Sequence, residues 1–432
     1  MIVIIGGGLS GLVAAHELAQ AGKHVTLLEE RSKLGGLIAS DTIGGVRLDI
    51  GAESFARRNS AVTDYVHSLG LDTLVPTGRS WIWHGKPLVI PADTSLGIPA
   101  DPSSPEIVAA LDHPERVAED LVLDPSVGAE ATTLAELVEA RMGSELLEKL
   151  VRPIATAIYS TDPAKLAINP QLAADFRSAG TLSAAVARGL AGPAVASVKG
   201  GMFHLVDTLV AQAEDAGAVL VTDAKVISVK NCETASASSA VTVEYVRDGI
   251  TETLSADHVI LATSIRPAVS LLESVANLEP FEIPTGTPTT HVTLVLDAPE
   301  LDGAPRGSGM LCAQGTARAK ALTHLTSKWG WLKEVTDLHA VRVSYAKNEE
   351  ISAQDALEDL NTLMGVSLEF SQIVGSKLVR WGGALTPSTP ALREWSQTIT
   401  GPEWMSITGA WRAGTGVASV IPHALATARE LI

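Results

Sequence analysis

The first thirty residues admit few folds. Ile2-Val3-Ile4-Ile5 is a short apolar, β-branched run that reads as a buried parallel strand. Gly6-Gly7-Gly8-Leu9-Ser10-Gly11 follows at once, a G-x-G-x-x-G with a glycine at each required place. The spacing predicts an amphipathic helix over residues 12–21, ended by Gly22, and a second strand over residues 24–29. In such a turn Gly6 permits the tight reversal, Gly8 lets a pyrophosphate approach the backbone, and Gly11 lets the helix pack against the strand. The helix N-terminus then offers free N–H groups and a positive dipole end to phosphates, with Leu9 and Ser10 of the motif also expected to bind the cofactor. Glu29, followed by Glu30, lies 18 residues beyond Gly11, where an acid grips an adenosine ribose. Glycine-rich turns are common and a purely structural turn is the alternative. Strand, motif, helix, strand and acid in this order predict a dinucleotide site.

At 432 residues the chain has room for two or three domains with ample cores. Its net charge of −17, with no basic cluster, argues against nucleic acid and anionic membrane as partners. Cys232 and Cys312 form neither a CxxC nor a disulfide pattern, and both are expected to be small core residues in a reducing cytoplasm. The 11 histidines include neither H-x-H nor H-E-x-x-H, so no metal site is expected. The apolar start is broken by glycines and lacks the basic head of a signal peptide, and no apolar run reaches the ~18 residues of a membrane span.

Lys33-Leu34-Gly35-Gly36 directly follows the acid. A Gly-Gly at this place resembles the flavoprotein amine-oxidase superfamily, where the loop lies along FAD. The superfamily usually has Arg at the Lys33 position and often a second basic residue at the Leu37 position. Residues 46–55 then narrow the resemblance to the porphyrinogen oxidases of haem synthesis, whose pattern is an acid, Gly-Pro-Asp-Ser-Phe, then basic residues. The chain keeps Gly51, Ser54 and Phe55, has Ala52 for Pro and Glu53 for Asp, and continues with Arg57-Arg58. A β-hairpin around Gly85-Lys86 is similar to the family's crossing into its substrate domain. Residues 150–163 match the stretch that lines the family's substrate cavity, with Ala157 and Thr161 where relatives usually have Gly. Tyr159 in this stretch reads equally as a helix-end packing residue.

Further landmarks carry the resemblance through nearly the whole chain. Gly200-Gly201 marks the return to the cofactor domain, Val226 matches the position whose backbone holds adenine, and the late strand ending at Ala262-Thr263 comes back beside the cofactor. His258 on that strand is expected to be structural. Ser327-Lys328-Trp329 matches a family Ser-Lys-Trp, and Trp381, Ala384 and Pro387 resemble Trp–Ala–Pro, although the Tyr and Gly-His that usually follow are missing. Gly409, Gly414, Gly416, Val417 and Ala418 resemble the flavin-closing strand, turn and helix, with Ala418 in place of the family's Pro. The N–H groups of that helix can stabilise negative charge on the reduced ring.

The resemblance implies an α/β chain (α+β, multi-domain) with a discontinuous Rossmann-like FAD-binding domain over residues 1–75, 198–268 and 402–432. A β-sheet substrate domain is expected over 76–94 and 269–401, and a helical insertion over 95–197. The implied activity is oxygen-dependent oxidation of coproporphyrinogen III to coproporphyrin III, a six-electron dehydrogenation in three rounds that yields peroxide. The flavin N5 would take hydride from a meso carbon, so no protein residue is singled out as catalytic. The bacterial, soluble branch favours coproporphyrinogen III, with four propionates, over protoporphyrinogen IX, with two. Arg57, Arg58 and Lys86 are the candidates for pairing with propionates, against the alternative that each is a solvated surface charge. The resemblance also implies transient contact with the haem-pathway ferrochelatase. Residues 409–417 lack the acid-Thr expected of an amine oxidase, and the acidic surface disfavours a carotenoid desaturase. A flavin-binding regulator without turnover is the alternative from another class.

Overall fold

The computed structural model describes residues 1–57, 60–159, 161–190, 194–231, 241–286, 288–346, 350–383 and 389–432. Arg58, Cys232, Ala384 and Pro387 therefore lie outside the described residues. The chain divides into two compact units, Met1–Val75 with Ala194–Thr289 and Val379–Ile432, and Pro76–Pro193 with Thr290–Leu378. Residues 95–193, expected as a separate helical insertion, fall in the same unit as the sheet strands, and residues 269–289 and 379–401 fall in the first unit.

Among the described residues of the first unit, five parallel strands run in the order Val219–Val221, Val25–Leu28, Ile2–Ile5, His258–Leu261, Met405–Ile407. Ile2 pairs with both Val25 and His258, so the opening strand is the middle of the sheet. Its side chains alternate between two cores. Ile2, Ile4, Val25, Leu27 and Ile260 pack with helices Leu9–Gln20, Phe203–Asp215 and Val417–Arg429. Val3, Ile5, Leu28, Val259 and Leu261 face the opposite layer, with helices Ile265–Leu272 and Pro390–Thr398. Burial on both faces is why the opening strand reads as an unbroken apolar run.

The first helix begins at Leu9, three residues earlier than the spacing of its apolar face predicts. Gly8 is its N-cap in an extended conformation (φ −73°, ψ 179°), so the second half of the glycine motif is already helical. An antiparallel meander, Lys225–Asn231, Val241–Arg247 and Ile250–Ala256, also belongs to this unit. Its second hairpin turns at Asp248 and Gly249, with φ 51° and 76°, the positive pair that a tight two-residue turn demands.

The second unit carries strands of a seven-stranded sheet in the order Ile373–Trp381, Thr289–Leu296, His339–Tyr345, Ala321–His324, Gly309–Cys312, Ser80–Trp83, Pro87–Val89. Helix Ala353–Met364 shares a core with one face. The helices between residues 105 and 189 form a second core with Ile82 and Leu311. Thr133 and Glu136 close a capping box on Leu134–Met142. The helical segment is tied by a fully buried ion pair: Arg141 Nε donates to Asp120 Oδ1 at 2.7 Å, with both side chains 0% exposed. Asp120 also accepts from the Leu182 and Ser183 N–H groups and from Ser183 Oγ, which caps helix Leu182–Gly189.

Asp120→Ala would strand a buried guanidinium and uncap that helix. It should lower unfolding stability by about 3–5 kcal/mol. Asp207→Ala breaks the exposed Arg47–Asp207 pair instead and should cost less than about 1 kcal/mol. Urea unfolding followed by circular dichroism compares the two. Equal losses would contradict the assignment of Asp120 as the tie.

Candidate functional site

The site is built where the parallel strands end. Gly6 has φ +107°, and a methyl there would stand 2.9 Å from the Ala262 carbonyl oxygen, so the opening turn can be made only by glycine. A methyl on Gly11 would run into the Gly6 carbonyl, which fixes the close approach of helix to strand. Gly8 differs from both. A Cβ there would meet nothing nearer than Gly36 Cα at 4.0 Å, and its φ suits any residue. Its bare backbone face is therefore not spent on packing.

The second glycine loop lies against the first. Gly8 and Gly35 form an isolated parallel bridge, and the Gly35 N–H donates to the Gly7 carbonyl at 2.8 Å. Gly36 comes so near that a Cβ on it would stand 3.0 Å from Gly8 Cα. Glu29, half-buried at the end of the second strand, accepts from the Gly7 N–H through Oε2 at 2.7 Å and from the Arg31 N–H through Oε1 at 2.9 Å. The Ala224 N–H donates to the Glu29 carbonyl at 2.8 Å, which brings the strand carrying Val226 to the same corner. Glu30 is exposed and pairs with Lys225 at 3.1 Å. Lys33 is exposed and lines a groove of about 560 Å³ beside helix Phe203–Asp215.

Residues 51–54 join this cluster through their backbone. The Ala52 N–H donates to the Leu37 carbonyl at 2.9 Å, and a methyl on Gly51 would collide with that same oxygen. Glu53 and Ser54 follow, half-buried. Asp49, 8% exposed, accepts from the Met202 and Phe203 N–H groups at 2.8 and 3.0 Å. The loop is thereby anchored to the helix that starts at Phe203. Asp49 occupies the acid position of the pattern, and its cap on a helix 153 residues away leaves no local signal in the sequence.

Beyond the neighbouring strand of the same sheet, Thr263 receives the closing motif. Trp411 Nε1 donates to the Thr263 carbonyl at 3.2 Å, and Gly409 turns with φ 123° beside it. Gly414 and Gly416 have φ 101° and 108°, and Gly416 is the N-cap of Val417–Arg429. That helix start and the start of Leu9–Gln20 belong to helices packed against one another. Trp381 ends its strand and belongs to this unit, its carbonyl accepting from the Gly383 N–H.

Of the remaining sequence candidates, Arg57 belongs to the first unit and Lys86, Ala157 and Tyr159 to the second. Arg57 is exposed, its N–H donating to the Ala194 carbonyl. Lys86 is exposed on the hairpin turn of the second unit, within electrostatic reach of Asp112. Ala157 and Tyr159 are both exposed on the last turn of helix Arg152–Tyr159, which continues from a π-helical turn at Leu147–Val151. His258 Nε2 lies 2.9 Å from Ser406 Oγ, and burial lowers its pKa, so it serves as a neutral link between strands. Burial, helped by Asp359, pushes the Cys312 thiol up to about 12, which removes it as a nucleophile at neutral pH. Among the described residues, no group of three or more His, Cys, Asp or Glu could hold a metal, and no helix is long and apolar enough to cross a membrane.

This geometry can hold an extended anionic cofactor: two glycine loops with one backbone face unfilled, an acid beside them, and a second helix N-terminus beyond. Known proteins bear on which one. The family model of flavin-containing amine oxidoreductases matches residues 9–430. The coproporphyrinogen III oxidase of Mycobacterium leprae is 30% identical over 82% of this chain and 79% of its own length. That of Mycobacterium bovis is 26% identical over 97% and 94%. A candidate protoporphyrinogen oxidase from Exiguobacterium sp. 255-15 has the same fold, with a TM-score of 0.81 at 22% identity, covering 100% of this chain and 98% of that one. The chain thus belongs to the flavin-containing amine oxidoreductase family, among its porphyrinogen oxidases, and is an FAD-dependent oxidoreductase.

Proposed function

We propose that this chain oxidises coproporphyrinogen III to coproporphyrin III, with oxygen as the final acceptor. The observation that carries the reading is the match to coproporphyrinogen III oxidases over most of both chains. The unfilled face of Gly8 independently supports its FAD part alone, since the cofactor's pyrophosphate needs a bare backbone there. In this reading the unit of the parallel sheet is the discontinuous flavin domain. The other unit is the substrate domain, with residues 95–197 as its helical insertion.

The bound flavin supplies two-electron acceptance from the macrocycle and its own reoxidation by oxygen. The protein's part is to hold and orient. Glu29 is assigned to the ribose, and the backbone of Gly6, Gly8, Leu9, Ser10 and Gly11 to the pyrophosphate at a positive helix end. Lys33, Gly35, Gly36 and residues 51–54 are assigned to the flank of the cofactor, Val226 to adenine, and Ala262 and Thr263 to the ends of the strands beneath it. Gly409, Gly414, Gly416, Val417 and Ala418 are assigned to the flavin ring, where the free N–H groups of helix Val417–Arg429 stabilise developing negative charge. Arg57, Arg58 and Lys86 are assigned to propionates. Against a net charge of −17, a tetra-anionic substrate needs such local cations. Ala157 and Tyr159 are assigned to the macrocycle, on the resemblance of their stretch. Transfer of product to a ferrochelatase belongs to the reading, with no surface assigned to it.

Two experiments test it. Gly8→Asp should fold with unchanged circular dichroism and be purified without yellow colour, because its side chain has room in the protein but fills the pyrophosphate position. Gly11→Ala should instead lose folded protein, because its methyl meets the Gly6 carbonyl. A Gly8→Asp protein carrying full flavin would overturn the loop assignment. In steady-state assays the wild type should prefer coproporphyrinogen III and release one peroxide per two-electron step. Arg57→Ala should raise KM for it by ~3–10-fold more than for protoporphyrinogen IX, the range of one partly solvated charge-assisted bond. A wild-type preference for protoporphyrinogen IX would overturn the substrate, and an unchanged KM would overturn the role of Arg57.

A further inference from the structure

We propose that His423 is a positioning residue for the cofactor, tying helix Val417–Arg429 to the first turn of Leu9–Gln20 through Thr408 and Ser10. The three side chains form a continuous chain. Ser10 Oγ lies 3.3 Å from Thr408 Oγ1, and Thr408 Oγ1 lies 3.0 Å from His423 Nδ1. Ser10 and Thr408 are 398 residues apart in sequence. Ser10 sits in the first turn of Leu9–Gln20, two residues beyond Gly8. Thr408 follows strand Met405–Ile407 and immediately precedes Gly409, where the closing turn begins. His423 projects from the second turn of Val417–Arg429. One link therefore reaches the glycine turn assigned to the pyrophosphate, and the other reaches the turn assigned to the flavin ring.

Burial ties the two hydroxyls to this chain, beside a half-buried His423. Thr408 is 0% exposed and Ser10 5%, so neither hydroxyl has bulk water as an alternative partner. The Thr408 N–H donates to the Leu261 carbonyl, which fixes the residue to the sheet. Burial and the Arg412 charge lower the pKa of His423, against an opposing effect of Glu430, so the ring is neutral at neutral pH. Arg412 is itself fixed by the Ser396 and Ile399 carbonyls. A neutral ring carries one proton: with it on Nε2, Nδ1 accepts from the Thr408 hydroxyl, which accepts from Ser10, and with it on Nδ1 both bonds reverse. In either tautomer the donors run one way along the chain. A leucine would fill the same space without setting that direction.

The inference rests on FAD being the cofactor and is independent of which porphyrinogen is oxidised. Its test is the dissociation constant of FAD from the apoprotein, read by flavin fluorescence. Wild type is compared with Ser10→Ala, His423→Leu and the double variant. Each single change should weaken FAD by about fivefold, the typical loss of one hydrogen bond. The double variant should be no weaker than the worse single one, since both cut the same chain. His423→Asn, whose amide can still meet Thr408, should recover most of the affinity. Losses that multiply, or an unchanged FAD affinity with only a lower melting temperature, would overturn the relay. Should His423→Leu not fold, Thr408→Val paired with Ser10→Ala gives the same cycle: losses that do not add support the relay, and losses that multiply overturn it. Failure of wild-type apoprotein to bind FAD would overturn the cofactor assignment itself; the ratios between variants judge the relay.

Discussion

Backbone laid against backbone is the constraint on which the site depends. The turn at Gly6–Gly11 and the loop at Gly35–Gly36 are bridged at Gly8 and Gly35, and a Cβ on Gly6, Gly11 or Gly35 would strike neighbouring main chain while one on Gly8 would not. That contact needs a rigid base, and the opening strand provides it by being the centre of the sheet with both faces buried. Glu29 closes the corner by accepting from the Gly7 N–H, so the residue assigned to the ribose also holds the loop in shape. Function and fold share the same few residues there, and loosening one would loosen the other.

The two ends of the site differ in how they are secured. The first uses main-chain bridges, glycine and the Glu29 carboxylate, the second Trp411 on the Thr263 carbonyl and Thr408 between Ser10 and His423. Only the second kind can be altered without rebuilding the turn. Side chains such as Ser10, Thr408 and His423 can therefore be changed singly, whereas among the three motif glycines Gly6, Gly8 and Gly11 only Gly8 has room for a Cβ.

Much of this was legible in the sequence because it obeys local rules. The apolar run of residues 2–5, the glycines and the acid at Glu29 each follow from what one strand–turn–helix unit requires. The hairpin at Asp248-Gly249 and the capping box at Thr133 were legible for the same reason. The helix start at Leu9 was missed because apolar periodicity does not see that an extended Gly8 can act as its cap. The relay from Ser10 to His423 and the cap of Asp49 on Met202 were invisible because their partners lie 398 and 153 residues away. The buried pair of Arg141 and Asp120 was hidden likewise, since each reads alone as an ordinary surface charge on a helix.

The central claim is that the flavin held by these two ends takes electrons from a carboxylate-rich porphyrinogen. Mixing the holoenzyme with coproporphyrinogen III in the absence of oxygen tests it most directly. The visible flavin band should bleach within the mixing experiment, porphyrin fluorescence should rise with it, and admission of oxygen should restore the yellow colour. An enzyme whose flavin stays oxidised under coproporphyrinogen III, yet bleaches with a primary amine or only with protoporphyrinogen IX, would contradict the account.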